Sequence, residues 1–564
     1  MDGLLAKIKA HSSLDAVSSS SGDHDALVVV YSDLGALRVH QAPMVAGWME
    51  AAQPFVNVDK EFGKSVVLIP TSSSLMASGG RLVLSPAGSL DDDTDDVRKI
   101  ADAVKAGVAR AIEAGARRPV ICVTLSPPPT EARGGSIDAD YSRWVEVALL
   151  AAMDASYVTL VVREHRLATQ GEGAAVVEKL ESIDLVAAGG QSFAAGELDQ
   201  AVRRACAIEA GRRLAVDMGY GDSERMTPYN CAQTIERAVR GVAGIEYQEI
   251  KDLDVIKREY PLLYHSARAS LPEKSAWPCV VKLEYRSPAP DKVREHIYMV
   301  GKGVTFDTGG ISLKTCGSMR GMSRDKLGAC GVAGFVLATG LIGDCAVDLS
   351  CTLAFERNAI GPAALLPDEV VMSRAGVRVL ISDTDAEGRL VMADAVAECR
   401  ERIVAARLNR DARPAAIYTA ATLTGHAIRA YGWYGATVAN GAARRGGYDA
   451  RVAAAGLAYG DAFENSVMRR EDHRVVAPRT DREDVYQSNA QPSTMTDRGH
   501  QYPAAFMIRA AGLDRHSLAS GPAAIPFVHV DIAGSAEDGV EPGLGLCAIT
   551  GSPVAAFAGA FWSA

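Results

Sequence analysis

The sequence predicts an α/β protein of two domains, and three observations carry that prediction. Apolar runs of strand length alternate with longer stretches whose apolar residues recur at helical spacing, the rhythm of sheets covered by helices. The alternation is interrupted around Gly196-Glu197 by a long helical run rich in Ala and Arg. The chain has 564 residues, 48% hydrophobic and 23% charged, more than one core of ordinary size uses. Length alone admits three or four domains; the pattern gives two.

Taken in order, a Ser-rich stretch from Ser18 to Asp25 reads as mobile, and Leu27 to Tyr31 as a buried strand. Ser65 to Ile69 reads as a second strand, closed by Pro70. Val97, Ile100, Val104, Val108 and Ile112 mark a helix. Asp91, Asp92, Asp93, Asp95 and Asp96 stand where that helix begins, and we read them as complementing its N-terminus, not as a metal site. Strands at Val120 to Leu125 and Tyr157 to Val162, with a helix near Tyr141 to Met153, complete a βαβ rhythm over residues 1–195. A connecting helix covers 196–222, with Leu198 to Met218 as its apolar-rich body. Residues 223–564 form a larger domain. Its strands are expected at Cys279 to Leu283, Ile297 to Val300, Val347 to Phe355, Val377 to Ile381, Ile417 to Ala420 and Phe527 to Val530. Helices are expected near Ser323 to Thr339, Leu390 to Ile403 and Ala504 to Ala511, and Asn440 to Ala455 reads as a loop leading into a helix.

Composition excludes several functions. Lys and Arg number 59 against 69 Asp and Glu, a net charge of −10, so the chain lacks the positive field that binding to phosphate backbones requires. Nucleic acid is not an expected partner. No stretch reads as an apolar bilayer span, and the opening residues lack a secretory apolar core. The ten cysteines form no C-x-x-C pair and several lie in apolar runs, the usage of reduced core thiols in a cytosolic compartment.

Two segments place charged groups directly after apolar strands, where open α/β sheets form their ligand crevice. The first, Gly301-Lys302-Gly303-Val304-Thr305-Phe306-Asp307-Thr308-Gly309-Gly310-Ile311-Ser312-Leu313-Lys314, lacks the G-x-x-x-x-G-K-[ST] spacing of a phosphate loop. It sets Lys302, Asp307 and Lys314 on what reads as a Gly-rich loop, with Asp325 at the start of a helix. The second, Asp383-Thr384-Asp385-Ala386-Glu387-Gly388-Arg389-Leu390, packs three carboxylates and an arginine into one strand-to-helix turn. Carboxylates sharing a crevice repel one another unless cations neutralise them. Asp307, Asp325, Asp385 and Glu387 bring four negative charges, which two divalent ions balance. Paired ions about 3.5 to 4 Å apart suit hydrolysis, because they lower the pKa of water and polarise the group under attack. Oxygen-rich ligation admits Zn²⁺, Mn²⁺, Mg²⁺ or Co²⁺. For the second segment by itself, surface acids and helix caps remain the alternative reading.

The segments GKGVTFDTGGISLK, MSRD, DTDAEGRL, TLTG (Thr422 to Gly425) and HVDIAG (His529 to Gly534), in this order, resemble the leucine aminopeptidase (cytosol aminopeptidase) family of two-metal exopeptidases. The likeness runs from about Gly221 to the C-terminus. It implies a macro-domain-like N-terminal domain, a phosphorylase/hydrolase-like catalytic domain with a mixed central sheet flanked by helices, and a cytoplasmic homohexamer acting on peptides with a free N-terminus. It further implies that Lys302, Asp307, Asp325, Asp385 and Glu387 hold two metals, with Asp307 and Glu387 bridging. Lys302 can ligate only when neutral. Lys314 would stabilise the oxyanion, Arg389 would hold a bicarbonate acting as general base with the backbone of Leu423, and Met322, Gly425 and Ala533 would receive the first side chain.

The sequence departs from that pattern at several points. Asp383 stands where the family has Asn, either facing the metals as a fifth carboxylate or capping the loop. Lys326, Leu327 and Ala536 replace usual residues and lead us to expect a roomier or differently shaped pocket with a preference other than Leu. His426 and His529 read as packing residues, not ligands. Two rival functions are a two-metal phosphoesterase, opposed by Lys302 and TLTG, and a non-catalytic hexameric scaffold, opposed by the retention of Lys314 and Arg389.

Overall fold

Strand and helix segments assemble into two units in the computed structural model, which describes residues 6–562 except 14–16, 18–23, 35–42, 73–78, 91, 126–138, 172–177, 189–191, 490, 492–494 and 538–548. Most of the Ser-rich stretch, and Asp91, lie outside the described residues. Of the described residues, the first unit comprises those up to Ala210 with Leu457–Gly460, and the second comprises the rest, so the division falls within the helix Glu197–Tyr220.

In the first unit six strands, β1 (Lys7–His11), β2 (Ala26–Tyr31), β3 (Val67–Pro70), β4 (Arg81–Pro86), β5 (Pro119–Thr124) and β6 (Ser182–Ala188), order as β1-β6-β5-β2-β4-β3. All neighbours pair in parallel except β3, antiparallel to β4. Every residue of β2 and β5 is buried, which explains why these central strands read as unbroken apolar runs. The helix Arg98–Glu113 packs on them through Ile100, Val104 and Val108. Just before it Asp96 pairs with Arg98 and Asp95 with Lys99.

One expected strand is not there. Tyr157 makes a single bridge to Glu178, and Leu160–Gln170 is a helix with no buried residue. A short apolar run fixes neither state by itself, and here Val161 (55% exposed) and Val162 (40%) find no sheet to enter, while the following R-E-H-R-L-A favours a helix.

The second unit is built on an eight-stranded mixed sheet of β7 (Ile245–Ile250), β8 (Cys279–Tyr285), β9 (Glu295–Asp307), β10 (Val347–Asn358), β13 (Ala415–Ala421), β14 (Gly435–Ala439), β15 (Phe463–Val467) and β17 (Phe527–Asp531), ordered β15-β14-β17-β13-β9-β10-β8-β7. Between them in sequence, β11 (Val370–Met372), β12 (Arg378–Leu380) and later β16 (Val485–Tyr486) form a small separate sheet. The four central strands β17, β13, β9 and β10 are mutually parallel, so their carboxyl ends open on one edge.

Strand β9 continues to Asp307, beyond the expected Val300, so Lys302 and Asp307 stand on a strand and not on a loop. The glycines beside Lys302 serve packing. A Cβ on Gly301 would lie 2.5 Å from the Ala329 backbone, and one on Gly303 2.5 Å from Phe355. The helix Leu327–Ile342 therefore seats directly on the strand, with 14 of its 16 residues buried. Contrary to the sequence expectation, the segment Met322–Ile342 is long and apolar enough to cross a bilayer, but 89% of its apolar window is buried inside the protein; it is hydrophobic filling of the second unit. Asn440 to Ala455 is also more ordered than expected. Asn440 caps the helix Gly441–Arg445 by accepting from the Ala443 N–H, and the helix Tyr448–Tyr459 follows. None of the nine described cysteines is in a disulfide, and seven are buried.

Candidate active site

The carboxyl ends of β9, β13 and β17 and the start of the helix Glu387–Leu408 converge on one cleft. Asp307, the last residue of β9, is buried, with Asp325 beyond it in the short turn before Leu327 and Glu387 at the first position of its helix. One carboxylate oxygen from each of these residues lies within 4.8 Å of the others. Two parts of the chain about sixty residues apart thus deliver a compact acidic cluster into an interior where like charges repel strongly.

Two lysines partly compensate it. Lys302 Nζ lies 2.7 Å from Asp325 Oδ2 and 2.9 Å from Glu387 Oε1, and Lys314 Nζ lies 2.8 Å from Asp307 Oδ2 and 2.6 Å from Asp385 Oδ1. Burial alone would drive the Lys302 ammonium to lose its proton; the charges of Asp325, Glu387 and Asp307 outweigh that and hold its pKa above the ordinary lysine value. Lys314 is likewise held cationic: burial opposes its charge, and Asp307, Glu387 and Asp385 prevail. Two ammonium groups do not neutralise four carboxylates. Burial together with the charges of Asp307 and Glu387 pushes the Asp385 carboxyl up to about 7, and Glu387 is also raised, first by burial and then by Asp307. Glu387 Oε2 is buried without a hydrogen-bond partner. An acceptor-only oxygen left unpaired in a buried acidic cluster is what a hard cation binds, so the donor set fits divalent metal.

Asp383 acts as a cap. Its Oδ1 accepts from the Asp385 N–H at 3.0 Å, and its own N–H donates to Gln487 Oε1 at 3.0 Å. The turn Thr308 to Lys314 is shaped by Gly309 and Gly310, whose positive φ angles of 84° and 62° let the chain double back; Thr384 Oγ1 then ties it down by donating to the Gly309 carbonyl at 2.7 Å and accepting from the Ser312 N–H at 2.8 Å.

Arg389 is buried. Its Nη1 donates to the Gln487 carbonyl at 2.9 Å, while Nε has no partner. Burial lowers its pKa to about 10 despite the nearby Asp383 and Glu387. With Lys314 and Leu423 it lines a cleft of about 700 Å³, into which His426 also faces. A neighbouring cavity of about 620 Å³ begins at the acidic cluster and is lined by Met322, Gly425 and Ala533, with Ile428 and Trp433. The structure thus brings together all eleven residues that the sequence marked.

The residues expected to reshape the pocket do not line either cavity. Lys326 is buried, its Nζ donating to the carbonyls of Ser323 and Gly221, Leu327 packs beneath the site against Gly219, and Ala536 is enclosed. His529 is buried against Thr419 Oγ1 at 2.8 Å and, like His426, is not among the clustered ligands.

Residues 213–558 match the catalytic domain of the cytosol aminopeptidase family. A putative aminopeptidase of Caenorhabditis elegans is 32% identical over 523 residues, 93% of each chain. The chain belongs to the cytosol aminopeptidase family. A probable cytosol aminopeptidase of Tropheryma whipplei is 27% identical over 358 residues, covering 64% of this chain and 65% of its own. Among solved structures, the leucyl aminopeptidase of Trypanosoma cruzi superposes with a TM-score of 0.72 at 21% identity, covering 98% of this chain and 96% of its own. The bottromycin maturation enzyme BotP in complex with Mn gives 0.69 at 20% identity, covering 95% and 98%. With the family comes the class: this is a metallo-aminopeptidase, a hydrolase acting on peptides.

Sequence reasoning missed the layer that holds this aminopeptidase site in place. Asn358 Nδ2 donates to Asp307 Oδ1 at 2.8 Å, and Thr422 Oγ1 to Asp325 Oδ1 at 2.9 Å. Buried Asp531 accepts from Thr424 Oγ1 at 2.6 Å and from the Leu423 N–H at 3.2 Å, joining TLTG to the end of β17. Gln487 accepts from the N–H groups of Ser382 and Asp383. Asp531 lies within HVDIAG and could have been singled out as a charge ending an apolar strand; Asn358 and Gln487 carry no comparable signal.

Proposed function

We propose that the chain removes the N-terminal residue from peptides, with two divalent ions held by Asp307, Asp325, Asp385, Glu387 and Lys302. The observation that carries this reading is the buried acidic cluster with an unpaired Glu387 oxygen, which lysines alone leave undercompensated. When bound, such ions activate water and polarise the scissile carbonyl. Zn²⁺ and Mn²⁺ suit the oxygen-rich donors, with Mg²⁺ or Co²⁺ as alternatives, and the related BotP is described in complex with Mn.

The chain's own groups then divide the work. Lys302 would hold a metal only in its neutral form, so it would give up its proton on becoming a ligand. Lys314, at the end of the Gly309-Gly310 turn, keeps its charge and faces the developing oxyanion, a role worth about 3 to 4 kcal/mol by comparison with oxyanion-hole donors. Arg389, whose buried Nε has no hydrogen-bond partner, would hold a bicarbonate as general base, and the Leu423 backbone would help to orient it. Met322, Gly425 and Ala533 enclose the first side chain. The resemblance also brings a cytoplasmic homohexamer, to be tested by sedimentation.

The reading is tested by hydrolysis of aminoacyl amides after chelation, after return of Zn²⁺, Mn²⁺ or Co²⁺, and in Asp385→Asn. Activity disappears on chelation, returns with at least one ion, and stays low in the variant at every metal concentration. Hydrolysis that survives complete metal removal would overturn it.

A further inference from the structure

The cavity that begins at the acidic cluster carries a second set of charges which hydrolysis does not use. Its lining also includes Arg320, Arg324 and Glu537. Arg324 Nη1 donates to Glu537 Oε2 at 2.8 Å, with both side chains about one-third exposed. That contact engages one of the five guanidinium N–H donors. Arg320 is exposed, and no carboxylate among the described residues pairs with it. Two cations thus face a single carboxylate that is already bound. The carboxylates of the acidic cluster face Lys302, Lys314 and the proposed ions, so among the remaining charged groups that line the cavity two cations stand against one carboxylate.

A pocket for an aliphatic side chain needs none of these groups. Resting on the aminopeptidase reading, we propose that this cavity selects the first residue by charge, taking acidic side chains, Glu foremost, over basic ones. Arg320 supplies the docking cation and Arg324 the second. A Glu carboxylate gains charge-assisted hydrogen bonds there. A Lys or Arg side chain meets Arg320 as a like charge and finds Glu537 occupied, so the same arrangement both attracts and rejects. A Glu side chain is one methylene longer than Asp and has the greater reach toward a cation set back from the metal site.

The test uses the metal-loaded full chain and compares kcat/KM for Glu, isosteric Gln, Lys and Leu amides. The wild type favours Glu over Lys at least tenfold. Arg320→Gln lowers the Glu/Gln ratio at least fivefold, and Arg320→Lys restores most of it. Glu537→Gln raises the Glu/Lys ratio, because it frees Arg324 and removes the lone anion. Faster cleavage of Lys than of Glu by the wild type, or ratios within twofold of wild type in both Arg320→Gln and Glu537→Gln, would overturn the inference while Leu cleavage left the aminopeptidase reading standing. A loaded chain that cleaves none of the four amides would overturn both.

Discussion

Replacing Lys302 by Met separates the charge balance of the site from its chemistry. Lys302 is 3% exposed in its side chain and is the cation beside both Asp325 and Glu387. Methionine matches its length but leaves two buried carboxylates without that partner, and removing one member of a buried pair typically costs about 3 to 5 kcal/mol. With a denaturant slope of about 3 kcal/mol per M of urea, the unfolding midpoint of the chelated variant falls by about 1 to 1.7 M. Divalent ions replace the missing charge. An ion at a hundred times its dissociation constant contributes about 2.7 kcal/mol per site, so saturating Mn²⁺ recovers at least half of the loss. The assay is urea unfolding followed by tryptophan fluorescence, with EDTA or with Mn²⁺, in both proteins. A chelated variant that unfolds at the wild-type midpoint, or an unmoved midpoint with Mn²⁺ in both proteins, would refute the electrostatic account.

Two further outcomes follow from the geometry. A Cβ at Gly388 would lie 2.7 Å from Lys302 Nζ and 2.6 Å from Leu423 Cδ1, so Gly388→Ala displaces a proposed ligand and lowers kcat/KM by at least about a hundredfold, as misplacement of about 1 Å does elsewhere; near-wild-type turnover would count against the placement of Lys302. Buried His296 accepts from Ser350 or donates to it at 2.7 Å, and burial with Arg286 nearby lowers its pKa to about 4. A base depressed in the folded state contributes stability above its unfolded pKa near 6.5 and loses it as the pH falls toward 4. The span corresponds to about 3 kcal/mol. Urea midpoints should therefore fall between pH 7 and 4.5, and less so in His296→Gln; equal slopes in the two proteins would contradict the assignment.

The core strands were legible because the parallel ones are buried on both faces and read as apolar runs, and the helix Arg98–Glu113 because one face alone is apolar. Tyr157 to Val162 misled because a few β-branched residues look alike in a strand and on an exposed helix. The length of β9 was hidden by its glycines, which ordinarily break strands but here admit the helix Leu327–Ile342. At the site, the carboxylates and lysines announced themselves by charge immediately after apolar segments. What could not be read was direction: nothing in the sequence says that Asp383 caps the turn, that Lys326 points into the protein, or that Asn358 reaches Asp307. Those depend on contacts between segments tens of residues apart, which local pattern does not encode.

The central claim is that Asp307, Asp325, Asp385 and Glu387 share a pair of cations. Anomalous scattering from crystals grown with Mn²⁺ tests it most directly. The account predicts two peaks about 3.5 to 4 Å apart among these carboxylates and Lys302. A saturated crystal with no peak there, or with its ions bound elsewhere, would contradict it.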